Sequence, residues 1–260
     1  MLVAALSAMA VLAIAVSAAS AVEAPYYKVS GARLGAGESK EVLVEGEGAQ
    51  VLNNATSKIT ITCRGLKAKA GALIIGSQKE NAKKELASEP GTSSGTLAYT
   101  NCSTAGNGEA CELENGALTT EPLRDELAYA VKQEPLVKGN KIVDLFTPAS
   151  GSVFAILKFT AQAGHKCIFT TAVVEGSILV EIQNSKKETV AVEEHEAEEE
   201  FGFIKPIAGE ACKVKEGKYT ECRKATLKVF GTAESYAGTF KVKLPLSKEL
   251  LALKFGAFSK

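Results

Sequence analysis

Six cysteines are set into short runs that alternate apolar and polar residues, and that combination limits the possible folds more than any other feature of the chain. The run from His165 to Ile182 shows it best. Cys167, Phe169 and Val173 recur at period two, which in a strand places them on one face, toward a core. After Gly176 the pattern restarts, with Ile178, Val180 and Ile182 on one side and Ser177 and Glu181 on the other. A glycine between two such runs predicts a bulge or tight bend. Ile59, Ile61 and Cys63 alternate with Thr60 and Thr62 in the same way.

An even number of cysteines in an exported chain implies disulfides. Spacing predicts two local bridges, Cys102–Cys111 and Cys212–Cys222, each closing a polar loop that contains glycine. The remaining pair, Cys63–Cys167, would join strands distant in sequence and act as the major staple. Zinc is the weaker reading, because no C-x₂-C pair occurs. The export argument comes from the other end of the chain. Residues 1–21 carry no charge and consist mostly of Ala, Val, Leu and Ile, ending in Ala19-Ser20-Ala21, an A-x-A cleavage pattern. They read as a signal peptide lacking a basic n-region, with an uncleaved membrane anchor as the other reading. Residues 25–260 then form a single β-rich extracellular domain.

Short strand-forming runs separated by turn residues continue along the chain. They include Thr96–Tyr99, Ala117–Thr120, Glu126–Val131, Ile142–Phe146, Thr226–Phe230 and Phe240–Leu244. Val153–Phe159 is apolar on both faces and suits a central strand. The charged stretch Lys79–Glu89 suits a short helix ended by Pro90-Gly91. The expected fold class is therefore all-β: an antiparallel sandwich or flattened barrel stapled by disulfides, with at most one or two short helices. An echo of cysteine, seven or eight residues, then glycine links Cys63 to Gly71, Cys167 to Gly176 and Cys222 to Gly231. Duplication and ordinary β grammar explain it equally well.

The succession Tyr26-Tyr-Lys-Val-Ser-Gly, Ile61-Thr-Cys63, Asn101-Cys102, Cys111, Leu118-Thr-Thr-Glu-Pro-Leu, Phe146-Thr-Pro-Ala-Ser-Gly, Cys167 and Val174-Glu-Gly-Ser-Ile resembles a group of exported, cysteine-containing β-rich proteins of soil actinobacteria. The resemblance spans most of the mature chain and implies an exported β-rich protein. It brings no catalytic residue with it. The acidic run after residue 190 departs from the pattern.

Potential chemistry is sparse. Lys and Arg number 30, as do Asp and Glu together, so no global charge favours nucleic acid. Gly91-Thr-Ser-Ser-Gly95 matches G-x-S-x-G, but the flanks lack the strand-to-helix turn that exposes a nucleophilic serine, and a polar turn is expected. The only histidines are His165 and His195, so any histidine triad must use one of them, with Asp125 or Asp144 as its acid. Nothing in the spacing joins His165 to those groups. His195 lies within the acidic run Glu193–Glu200, read as a solvated segment rather than a cation site. The chain has no Trp, which weakens a sugar-binding or paired-carboxylate glycosidase reading. Asn54-Ala-Thr56 and Asn101-Cys-Ser103 are glycosylation sequons, meaningful only on a eukaryotic secretory route. No P-loop or dinucleotide motif occurs, and no cofactor, metal or nucleic-acid partner is expected. The resulting expectation is a secreted or cell-surface, non-catalytic structural or adhesive module that binds an unknown extracellular ligand or cell-wall component. The alternatives are a secreted hydrolase using Ser93 or a glutamate pair, and a subunit that self-associates through strand edges.

Overall fold

The computed structural model describes residues 24–29, 32–76, 89–106, 110–130, 142–183, 201–206, 210–215, 218–233, 235–244 and 253–256. The signal-like segment 1–21 and the acidic run with His195 lie outside them, as does nearly all of the expected helix at 79–89. In chain order the strands are β1 (Tyr26–Val29), β2 (Ala32–Arg33), β3 (Ser39–Glu41), β4 (Leu43–Asn54), β5 (Ile59–Ala68) and β6 (Leu73–Ile75). Then come β7 (Thr92–Gly95), β8 (Leu97–Gly106), β9 (Cys111–Leu113), β10 (Leu118–Thr119), β11 (Leu123–Ala130) and β12 (Ile142–Pro148). Next are β13 (Val153–Ala161), β14 (Thr171–Gly176), β15 (Ile178–Gln183), β16 (Phe201–Pro206), β17 (Glu210–Lys215) and β18 (Lys218–Lys224). The last are β19 (Leu227–Val229), β20 (Thr232–Ala233), β21 (Ser235–Lys243) and β22 (Leu253–Gly256). Among the described residues the one helical element is the 3₁₀ turn Glu114–Gly116. The chain is all-β and its strands pair antiparallel, as the alternation predicts.

Residues 39–54 organise the body. They form one extended stretch, broken between β3 and β4 only at Val42, whose N–H donates to the carbonyl of Ala72. The large sheet runs β10-β8-β5-β4-β21-β16-β15-β12-β11-β7-β6-β3. Because β3 continues directly into β4, the path from β4 round to β3 closes into a ring. Val42, Val44, Ile74, Leu123, Leu127, Phe240 and Val242 are buried along it. The other end of the path, β10-β8-β5-β4-β21, belongs to a sandwich whose second layer is the sheet β20-β19-β14-β13-β9. Ile59, Ile61, Cys63 and Tyr99 from one layer share a core with Phe154, Leu157, Val174 and Val229 from the other. A third small sheet, β2-β1-β22, places the buried ring of Tyr27 among the residues lining the barrel interior.

The crease between the two lobes runs across β4 and β21, where the register shifts between Glu45 and Gln50 on one strand and between Ala237 and Thr239 on the other. Such bulges bend a sheet and interrupt its ladder. Gln50 repairs the interruption. Its Nε2 donates to the carbonyl of Thr239 at 2.8 Å, and its Oε1 accepts from the Tyr236 hydroxyl at 2.7 Å. A Cβ on Gly238 would stand 2.0 Å from that Oε1, so only glycine leaves room for the amide. Asn54, at the far end of β4, ties the layers together by donating to the Val229 carbonyl at 3.2 Å and to Thr232 Oγ1 at 3.0 Å. The sequon at Asn54 is therefore a buried structural amide, whereas Asn101 is exposed.

The chain crosses between sheets twice at one corner. β14 leads into β15 through Gly176-Ser177, and β18 leads into β19 through Ala225-Thr226. The Ser177 N–H donates to the Thr226 carbonyl at 2.9 Å. Gly176 has φ +106, and a Cβ there would lie 2.0 Å from that carbonyl oxygen. The bend expected at Gly176 is thus a change of sheet. Gly71 and Gly231 also hold positive φ, so the cysteine–glycine echo marks three turns with the same backbone demand.

Two expectations are overturned by the strand pairing. The bridges are Cys63–Cys102, Cys111–Cys167 and Cys212–Cys222, so only the last of the expected pairs forms. Cys63 and Cys102 face each other across β5 and β8, with Cα atoms 3.9 Å apart, and proximity along the chain does not override that register. Cys111, on the edge strand β9, takes Cys167 instead, at a Cα separation of 4.8 Å. Closed loops spanning 39 and 56 residues place these two bridges at about 4 kcal/mol each on chain-entropy grounds. The second correction concerns the Cys167 run. Residues 162–170 are turn and bend, and β14 begins only at Thr171, so Ala172 and Val174 point inward while Val173 is 41% exposed. Ile156 on β13 is also exposed, so Val153–Phe159, though flanked by strands on both sides, is covered on one face.

Peptide mapping of the unreduced protein should recover those three linkages and none joining Cys63 to Cys167. Gly176→Ala should lower unfolding free energy by about 3 kcal/mol, read from the urea midpoint, because it combines positive φ with a backbone collision.

Candidate functional site

The ring encloses the chain's only two aspartates. On β11, Leu123, Asp125 and Leu127 share the inward face; on β12, Asp144 and Phe146 do. Register pairs Asp125 with Phe146 and Leu127 with Asp144, so the two acids are diagonal neighbours on adjacent strands. On the other side of β11, Asp125 pairs with Ser93 of β7, whose hydroxyl donates to Asp125 Oδ2. The ring of Tyr27 enters from β1 and sits against Gly91, where a Cβ would approach it to 2.8 Å. The G-x-S-x-G run is therefore not the turn expected for it. Thr92–Gly95 is a strand paired on both sides, and its small residues suit close packing against Tyr27 and Ala72.

Asp125 is 4% and Asp144 2% exposed, and one oxygen of each, Oδ1, has no hydrogen-bond partner among the described residues. Burial pushes the Asp125 carboxyl up to about 7; its hydrogen bonds from Ser93 oppose the shift, and the charge of Glu126 adds to it. Asp144 is held well above the usual carboxylate range, first by burial and then by the charges of Asp125 and Glu126. Burial likewise raises the Tyr27 phenol, with the two aspartates adding to the effect. Glu126 itself lies on the opposite face of β11, in an ion pair with Lys213 that ties down β17.

The hydrolase constellation is not assembled. His165 stands in the exposed turn between β13 and β14, its N–H bonded to the Gln162 carbonyl. Ser93 and Asp125 face the interior of the other lobe. Ser93 donates to the buried Asp125 carboxyl, and among the described residues His165 makes no hydrogen bond to either of them. Among the described residues no three His, Cys, Asp or Glu side chains converge as metal ligands. Asp125 and Asp144 stand out in the sequence as the only aspartates, and the alternation also signals their burial, though not their pairing. Asp125 falls at period two between Leu123 and Leu127, and Asp144 between Ile142 and Phe146, each on the apolar side of its strand.

Comparison with family models, with curated proteins and with solved structures finds no match to this chain.

The raised carboxyls fix the sign of the pH response. The stabilising neutral form of Asp125 is fully present below the unfolded aspartate value of about 4 and is lost as pH rises through about 7, and the raised Asp144 acts in the same direction. Asp125 alone sets this loss on the order of 4 kcal/mol. Urea midpoints should fall across that window for the wild type and stay level for the Asp125→Asn, Asp144→Asn double variant, whose amides keep the shape without the charge.

Proposed function

We propose that this chain is an exported, non-catalytic binding module of the cell exterior. The outer face of its five-stranded sheet and the adjoining loop 162–170 are the contact surface, with a cell-wall or other extracellular component as the ligand. The observation that carries this reading is a set of apolar side chains left in water on that layer. Ile156 and Val173 are cross-strand partners at 42% and 41% exposure, and Ile168 in the loop reaches 73%. Outward positions of a sheet with one wet face are ordinarily polar. The Cys111–Cys167 bridge anchors the loop, so Ile168 is presented at reduced entropic cost. Phe230, half exposed, stacks on Phe169 with ring centroids 5.0 Å apart at the loop's base. Three disulfides suit an oxidising compartment outside the cytoplasm, and among the described residues no helix is long and apolar enough to cross a membrane.

Assembly through sheet edges is less favoured. Among the described residues β18 pairs on one side only, and it carries Glu221, Arg223 and Lys224, charges of the kind that discourage edge-to-edge pairing.

The test is cosedimentation of the oxidised protein with isolated cell envelopes and insoluble wall polymers. Wild type should pellet with one of them, and Ile168→Ser combined with Ile156→Lys should weaken retention at least about tenfold. Turnover of chromogenic esters or glycosides that disappears in Ser93→Ala would replace this reading with the hydrolase.

A further inference from the structure

The oxygens Oδ1 of Asp125 and Asp144 lie in a core where buried polar atoms ordinarily find partners. Both carboxyls line one cavity of about 40 Å³. Its remaining wall is largely apolar, with Val44, Leu123, Phe146, Phe240 and Val242 on it. A half-satisfied pair of acids in the wall of a largely apolar chamber has a definite chemical complement. We propose that this chamber binds a compact primary ammonium, whose N–H groups donate to the two open aspartate oxygens while its short apolar tail lies against Phe146 and Phe240.

An alkylammonium head carries three N–H groups and no acceptor, so two of them can answer the two open oxygens, while the Ser93 hydroxyl already serves Asp125 Oδ2. The tail meets two phenyl rings held edge to face at 6.1 Å, a surface that also favours cations. Hard divalent metals fit poorly, since calcium takes six to eight oxygens and magnesium keeps a water shell. Size sets an upper limit as well. The chamber exceeds the roughly 10–15 Å³ that a single water needs, and it admits ligands of only a few heavy atoms.

Protons compete for the same oxygens. The titratable groups facing each aspartate are the other aspartate and Tyr27 from β1; Glu126 acts from the outer face, where Lys213 pairs it. Val44 from β4 and Phe240 and Val242 from β21 add no charge. An ammonium can enter only as a proton leaves, so affinity should rise about tenfold per pH unit below neutrality and level off above it. This inference is independent of the outer-face reading, because the chamber faces inward.

The experiment is thermal unfolding of the full oxidised chain at about pH 8 in methylammonium or ethylammonium chloride, against sodium and tetramethylammonium chlorides of equal ionic strength. The primary ammoniums should raise the midpoint saturably, the gain should vanish near pH 5, and Asp125→Asn or Asp144→Asn should abolish it. Should either variant fail to fold, saturation transfer from the protein to ¹³C-methylammonium on wild type reads the same contact and should appear at pH 8 but not at pH 5. Equal midpoints in sodium and ammonium salts would overturn the proposal and leave the pair holding a proton alone. A gain that persists in both asparagine variants would also overturn it.

Discussion

The double use of residues 39–54 is the constraint on which the rest of the structure depends. One extended stretch closes the ring at its first half and builds a sandwich layer with its second, so the sheet must crease between them. A crease leaves ladder groups unpaired, and an unsatisfied buried carbonyl costs about 1–3 kcal/mol. Gln50 removes that cost at the Thr239 carbonyl, and Gly238 keeps the space its amide occupies. The corner at Gly176 and Thr226 solves the matching problem on the opposite layer, where two crossings between sheets bond to each other. Asn54 then joins β4 to that layer.

The two lobes treat buried polarity differently. In the sandwich, Gln50 and Tyr236 are directly bonded, Tyr99 approaches Tyr236 with hydroxyls 3.3 Å apart, and Asn54 is satisfied on both ends of its amide. Burial pushes the Tyr99 phenol up to about 12, so this network stays neutral across the whole physiological range of pH. In the barrel, Asp125 has a single side-chain donor in Ser93, and each aspartate keeps an open oxygen. Fully satisfied networks make a core rigid and specific, whereas partly satisfied ones mark places where protons, water or ligands enter the energetics. The open polar groups of the core are thus concentrated in the barrel, and the directly bonded ones in the sandwich.

Durability comes from covalent ties placed at three scales. Cys63–Cys102 locks two neighbouring strands of the large sheet, and Cys212–Cys222 locks the β17–β18 hairpin. Cys111–Cys167 fixes a loop to an edge strand, holding in place a segment that has no ladder of its own.

Period-two alternation and turn chemistry are local, and the chain alone determined their consequences: an all-β body, the inward set Ile59, Ile61 and Cys63, and the bend at Gly176. These depend only on backbone geometry and on which side chains avoid water. Which strands lie side by side is a long-range matter, decided by how the ring closes. That closure chose Cys102 rather than Cys167 as the partner of Cys63, and it turned Thr92–Gly95 from an expected loop into a barrel strand. It moved Val173 outward by starting β14 two residues after Phe169, and it converted a sequon into an interlayer amide. It also brought together Tyr27, Ser93, Asp125 and Asp144, which come from four separate strands. Alternation could place each aspartate on an apolar face, but only tertiary structure could set those faces against one another.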